Sequence, residues 1–557
     1  MYTSTTVTPR LRDSLTVRLG ATTRAAGDWL FRAPWSAPAD WLALVVILIL
    51  AVGAPLAPLT TNRFHYDEAV YSQWALDVAS GRDVLLSASP VDKPPLFPYL
   101  QALSLWLFGV SEAAARLPSL IASVTGVLVL LRLGQCLYGR STGILAAGLW
   151  AASPFYILFA PTAFTDPLMT TLVLVACLAV ARGHWGRAGL CWGLGAITKP
   201  QALIFGPLIW GLGRLVERDR LTGLGATSAH TRPTRVPGWC RLALGLLLIS
   251  SLALVWDVCR NRQPGFIEQS LISYGDLGFS LMDIGKRLSG FMGLLAYVTG
   301  APLLNRVLLI GLPVLAAVDG WQVWSARRVR GDGARETVVP ARVDLLLLAF
   351  VVGFVVLHVF LPFQVWDRYL LGIVPCLALL LARLLSLPWR MLQAAPLWRE
   401  RGNGRERLYG TLRLGYLLVV LAVIVTLLWQ PVQDAAASRF PIGGDHGAYQ
   451  GIEQVVAFFR TVPADTTLYH RWLGGHWRFY LWNSPYDLRA WQTPGDLATQ
   501  AAARPNARRY VVFPSWQSST ETRLALAEVG LTLRELHRAF RDDGSLSFIV
   551  YAIEELK

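Results

Sequence analysis

Eleven apolar runs of 13 to 21 residues recur between residues 41 and 430, and they constrain this chain more than any other feature. They lie near 41–59, 114–131, 141–160, 166–181, 186–198, 201–213, 242–257, 304–324, 343–361, 370–388 and 411–430. A helix needs about 20 residues to cross the hydrocarbon core of a bilayer. Of the 557 residues 54% are hydrophobic and only 16% charged, where soluble domains carry about a quarter charged residues. An ordinary soluble enzyme is excluded, as are a disordered chain and a collagen-like one. A single core is excluded as well, because cores stop growing near roughly 300 residues. The expected fold class is an α-helical polytopic membrane protein with about 11–13 transmembrane helices. The short runs around 186–213 read as a hairpin broken at Lys199–Pro200. The stretch 291–303 is either an extra span or an interfacial helix, so the count is open by one or two.

Charge supplies the orientation. Residues 431–557 hold 13 basic and 13 acidic side chains, so the net +15 belongs wholly to residues 1–430. With the N-terminal segment 1–40 placed in the cytoplasm, the cytoplasmic segments carry 26 arginines, no lysine and nine acids. This obeys the positive-inside rule at every turn. An odd number of spans then puts residues 431–557 on the extracytoplasmic side of the cell membrane. The positive charge thus has a membrane explanation and implies no nucleic-acid partner. The run 41–59 reads as a first anchor, since a 40-residue leader is too long for a cleavable signal peptide. The expected organisation is a cytoplasmic segment 1–40, a transmembrane unit 41–430, and a small C-terminal α/β domain 431–557. In that domain Thr466–His470, Arg509–Phe513 and Leu546–Ile553 read as strands, and Tyr449–Arg460, Pro494–Ala503 and Thr520–Val529 as helices. All six cysteines lie before residue 377, so no disulfide framework is implied for the tail.

The chemistry-bearing residues gather in the outer loops, most densely in 60–113. Asp67-Glu68 follows the first span, and Asp92-Lys93-Pro94-Pro95 closes the same loop. An acidic pair at a membrane boundary is costly unless it faces water, a cation or a substrate. Its structural explanation is a helix N-terminus that favours acids. The lysine on the same side, followed by rigid backbone, tips the balance toward function. Only four lysines occur in the chain, and two of them, Lys93 and Lys199, are Lys-Pro pairs at outer helix boundaries.

The run HYDEAVYSQWALDVASGRDVLLSASPVDKPPLFPYLQALSLWLFGVSEAAARLPS, residues 65–119, resembles the first periplasmic loop of the GT-C glycosyltransferases. More narrowly, it is similar to the protein O-mannosyltransferases and the bacterial aminoarabinose transferases that modify lipid A. The shared pattern continues through Thr165-Asp166-Pro167, through Leu194 to Lys199, and through Asp367-Arg368-Tyr369-Leu370 followed by Pro375. It spans roughly residues 41–390 and leaves out the tail. The resemblance implies an inverting transfer of a sugar from a polyprenyl-phosphate carrier to an acceptor on the outer face. The acceptor class stays open among proteins, glycolipids and glycans. Asp67 matches the family's catalytic acid position and is the expected general base, with Glu68 as its alternative or partner. Lys93 and Arg368 match positions near the carrier phosphate, and Tyr369 belongs to the same motif. Asp166 and Lys199 are weaker substrate-binding candidates, weighed against a helix N-cap and a snorkelling lysine.

The residue types suit this chemistry independently. A hydroxyl nucleophile needs a carboxylate to take its proton, and a departing lipid phosphate needs fixed cations. No cofactor is expected. One acidic pair does not make a metal site, so a divalent ion stays open but unsupported. Within the second outer loop, 257–303, the stretch 257–290 carries mixed charges, including Asp276, and is expected to be mobile without substrate and to order when substrate binds. The competing classes are a transporter or lipid-linked-sugar flippase, and a membrane anchor for a binding tail. A transporter would place polar breaks at midplane, and eleven spans are excessive for an anchor.

Overall fold

A computed structural model of the chain describes residues 38–221, 236–275, 278–328, 335–394 and 405–556. Most of the expected cytoplasmic segment 1–40, much of the other arginine-rich inner segments, and Asp276 lie outside the described residues.

The membrane unit is built from helices α1 (Pro38–Thr61), α2 (Tyr66–Ala79), α3 (Leu96–Phe108), α4 (Glu112–Tyr138), α5 (Arg140–Ala151), α6 (Pro154–Phe159), α7 (Asp166–Ala181) and α8 (Trp185–Ala196). A 3-10 turn at Pro200–Phe205 leads into α9 (Gly206–Leu221), α10 (Gly238–Arg260), α11 (Phe266–Tyr274) and α12 (Ile284–Leu295). The long helices α13 (Pro302–Arg328), α14 (Arg335–Phe360), α15 (Val374–Ala394) and α16 (Arg405–Ala436) complete it. Among the described residues seven helices are long and apolar enough to cross a bilayer. The other expected spans are shorter or broken. Ser153-Pro154 splits the run 141–160 into α5 and α6, because proline cannot donate into the preceding turn. The run 201–213 starts as the 3-10 turn after Lys199-Pro200. The ambiguous stretch 291–303 holds the end of α12, a turn and the start of α13, and is not a span. Apolar side chains on α1, α10 and α16 stay exposed, as helices in contact with lipid require.

The tail comprises α17 (Ile452–Phe459), β1 (Thr466–His470), α18 (Gly474–Tyr480), β2 (Asp487–Ala490), α19 (Pro494–Ala502), β3 (Arg508–Pro514), α20 (Thr520–Glu528), β4 (Leu531–Phe540) and β5 (Leu546–Glu555). Its sheet has the order β2-β1-β3-β5-β4, parallel among the first three strands and antiparallel at β5 and β4. Side chains alternate across the strands. Leu468 and Val512 therefore join one apolar layer with Phe459 and Trp477, and Tyr469 and Phe513 join the other with Trp491 and Leu526.

The tail is docked on the first outer loop. Gly475 lets α18 lie against α2: a Cβ there would come 3.0 Å from Val70 N and 3.1 Å from Ala69 C. Around that contact His476 Nε2 lies 2.9 Å from Phe64 O, Tyr480 donates to Glu112, and Arg63 meets Glu453 at 3.4 Å. A second tie runs from Gly443, whose φ of +72° suits glycine, through its N–H to Asp367 Oδ2 at 2.7 Å.

Candidate active site

The short helix α2 carries the acidic pair and begins with a reciprocal cap. His65 Nδ1 accepts from Asp67 N at 3.2 Å, and Glu68 Oε2 accepts from His65 N at 3.0 Å. An accepting Nδ1 must be unprotonated. Burial lowers the His65 pKa and favours this form, against the opposing pull of Asp67 and Glu68.

The cap turns the two carboxylates in different directions. Glu68 is fully buried. It accepts from Arg116 Nε at 3.0 Å and from Ala163 N at 2.7 Å. Arg116, from the Ala-Arg-Leu-Pro-Ser end of the family-like run, also donates to the carbonyls of Asn62 and Arg63, both at 2.8 Å. Glu68 is thus the centre of a buried clamp joining α1, α2, α4 and the turn at 163, and it does not line the cavity described next. Asp67 faces the other way, into that cavity.

The cavity holds about 800 Å³ and is walled by four parts of the chain, of which the second outer loop gives Ser273 and Tyr274. The first outer loop gives Asp67, Asp92 and Lys93, the segment before α15 gives Arg368 and Tyr369, and the tail gives His470, Arg471 and Arg478. Asp67 and Arg368, 301 positions apart, form an ion pair with Nη1 and Oδ2 separated by 2.5 Å. Burial alone would raise the Asp67 pKa, but Arg368, with Lys93 beyond it, holds it below the usual carboxylate range. Burial opposes the charge on Arg368 too, and Asp67 overrides it.

Lys93 is nearly buried and pairs with Asp92, its ammonium 4.7 Å from the ring centre of Tyr274 and 5.7 Å from that of Tyr71. Burial works against its charge, yet Tyr274 and Asp92 together raise its pKa. Tyr274 ends α11, so the second outer loop closes over the lysine. That loop is tied down at several points. Arg260 donates to the carbonyls of Leu86 and Ser89, Arg262 to Ser87, and the Ser270 hydroxyl to Asp92 O. These contacts tie the described part of that loop to the first loop.

Asp166 and Lys199 meet each other rather than the cavity, at 2.6 Å and almost wholly buried. The Lys199 ammonium lies 5.1 Å from the Tyr369 ring centre, so the pair sits directly behind a residue of the cavity wall. Among the described residues no group of three or more His, Cys, Asp or Glu is arranged to hold a metal ion.

The expected residues Asp67, Lys93, Arg368 and Tyr369 are therefore brought together, while Glu68, Asp166 and Lys199 stand behind the wall. Sequence reasoning did not reach His470, Arg471 or Arg478. The signal available was the run Trp472-Leu473-Gly474-Gly475-His476-Trp477-Arg478, a glycine pair among aromatics and cations that suggests close approach.

Comparison with solved structures decides the architecture. ArnT from Cupriavidus metallidurans bound to undecaprenyl phosphate superposes with a TM-score of 0.58 at 16% identity, over 93% of this chain and 98% of that one. The chain has the GT-C fold. The apo state of the same ArnT gives a TM-score of 0.58 at 17% identity, over the same shares of both chains. The model of the dolichyl-phosphate-mannose-protein mannosyltransferase family matches residues 92–224 of the chain, from Asp92 through Lys199 and beyond. No curated protein sequence matches significantly. The near-complete coverage of ArnT means that the GT-C likeness takes in the tail, which the sequence resemblance leaves out.

Proposed function

We propose that this chain is an integral-membrane glycosyltransferase that moves a sugar from a polyprenyl-phosphate donor to a hydroxyl of a protein, lipid or glycan acceptor on the outer face. The observation that carries the reading is the ion pair between Asp67 and Arg368 on the wall of a cavity that also holds Lys93. A carboxylate for the nucleophile's proton and two cations for a phosphate leaving group are what such a displacement needs. The acceptor oxygen attacks the anomeric carbon as the bond from that carbon to the phosphate oxygen breaks, inverting the centre. Asp67 takes the hydroxyl proton, and Lys93 and Arg368 stabilise the departing lipid phosphate. A carboxylate tied to arginine is a weak base. The donor phosphate competes for Arg368 and so frees Asp67 when both substrates are present.

The test is transfer by the full chain in proteoliposomes, supplied with a panel of polyprenyl-phosphate sugars and of protein, glycolipid and glycan hydroxyl acceptors, and followed by release of polyprenyl phosphate. The wild type is expected to release it from at least one donor. Lys93→Ala is expected to lower that release by more than about a hundredfold. Release unaffected by both Lys93→Ala and Asp67→Asn would remove these residues from the reaction.

A further inference from the structure

Charges on the cavity wall do not balance. Lys93, Arg368, Arg471 and Arg478 face the cavity against only Asp67 and Asp92. The two aspartates are committed to Arg368 and Lys93, which leaves both tail arginines over. Neither Arg471 nor Arg478 is in an ion pair among the described residues. The acid whose field reaches Arg478 is Asp77, which is engaged by Arg82 at 3.1 Å and by Gln73 at 2.6 Å. Arg471 rests on aromatic faces, 5.2 Å from the ring centre of Trp472 and 5.4 Å from that of Trp491. Both arginines are solvent-exposed.

Beside them His470 is 5% exposed, lines the same cavity, and has no hydrogen-bond partner on either ring nitrogen. Buried polar groups are normally satisfied, and leaving one unmade costs about 1–3 kcal/mol. The chain makes room for this ring: a Cβ on Gly474 would lie 2.7 Å from His470 Cε1. Burial, helped by Arg478, lowers its pKa to about 4, so the ring is neutral near pH 7 and offers one donor and one acceptor.

We infer that the tail forms an anion subsite for the acceptor, in which Arg471 and Arg478 bind a carboxylate or phosphate carried by the acceptor and His470 hydrogen-bonds an adjacent hydroxyl. This rests on the transferase reading above and adds the acceptor class to it. A polyprenyl phosphodiester brings one negative charge, so one cation of the wall stays uncompensated after the donor has bound. The cations assigned to the donor come from segments that join membrane helices, whereas Arg471 and Arg478 come from the α/β domain. That division gives the arginines to the second substrate.

Three glycosides test this on the full chain in lipid nanodiscs: methyl β-glucoside, methyl β-glucuronide and methyl β-glucoside 6-phosphate. Saturation-transfer NMR reads their binding, and undecaprenyl phosphate is titrated separately. At least one charged glycoside is expected to bind about tenfold more tightly than the neutral one, the order of a charge-assisted hydrogen bond. The preference should vanish in the double variant Arg471→Ala/Arg478→Ala and return in Arg471→Lys/Arg478→Lys. Undecaprenyl phosphate affinity should stay within about twofold, since those arginines are not its ligands. Equal binding of charged and neutral glycosides by the wild type would overturn the inference. So would an equal loss of undecaprenyl phosphate by the alanine variant, which would give both arginines to the donor. A wild type that prefers the charged glycosides but does not bind undecaprenyl phosphate would instead defeat the donor assignment alone.

Discussion

Replacing Asp67 with asparagine should separate binding from chemistry in opposite directions. The side chain keeps its size, and its amide oxygen can still accept from Arg368. What disappears is the negative charge in a contact of 2.5 Å whose side chains are 25% and 12% exposed. A hydrogen bond to a charged group contributes about 1.5–3 kcal/mol and one between neutral partners about 1. The arginine therefore loses roughly 1–2 kcal/mol of competition for the donor phosphate, or about five- to thirtyfold in affinity. Undecaprenyl phosphate should bind Asp67→Asn more tightly than wild type by about that factor. Transfer should fall by about 100- to 10,000-fold, the usual worth of a positioned general base. Lipid titration against protein in nanodiscs measures the first effect and single-turnover transfer the second. Weaker or unchanged lipid binding would mean that Asp67 and the phosphate do not compete for Arg368. Transfer retained at wild-type rate would move the base elsewhere.

Three further outcomes follow from the geometry. Arg116→Ala leaves Glu68 buried without its cation and should cost about 3–5 kcal/mol, read as a fall in the thermal midpoint together with lost lipid binding. An unchanged midpoint would refute the clamp. Gly475→Ala presses a methyl group against the backbone of α2 and should cost about 1–3 kcal/mol. The measure is faster protease cleavage near residue 440, and a wild-type cleavage rate would show that the tail is held by other contacts. Burial lowers the His470 and His476 pKa values to about 4 from an ordinary 6.5. A depressed folded-state value means that the stabilisation is complete above pH 6.5 and is lost as the pH falls toward 4. Melting curves should show up to about 3 kcal/mol lost per histidine at full protonation, and His476→Gln should flatten the profile.

The membrane unit was legible because spanning helices announce themselves by length and apolarity, and the site's first half because Asp67, Lys93 and Arg368 stand in family-like motifs. Breaks inside apolar runs, such as the one at Pro154, shortened elements that composition alone had read as full spans. Strands β1, β3 and β5 were legible from their apolar cores. The short β2 is half-exposed and the outer face of β4 is charged, so neither carries a strong pattern. The most consequential omission was α18. Seven residues with two glycines at the start give no helical periodicity, yet this helix puts Arg478 on the cavity wall. Its position is set by contact with α2 some 400 residues earlier, and local sequence holds no record of such a contact. Glu68 carries the complementary lesson. Adjacent carboxylates look equivalent in sequence, and the capping geometry of α2 makes one a structural anchor and leaves the other facing the cavity.

The strand order of the tail also bears on when activity can begin. Strand β5, ending at Glu555, lies between β3 and β4. The sheet therefore cannot close until residues 546–555 are available. The sheet that carries Arg471 and Arg478 is incomplete until then, although Asp67 and Lys93 lie in the first outer loop and are made long before. A chain that still lacks β5 would thus hold Asp67, Lys93 and Arg368 in a cavity whose tail wall is not yet complete.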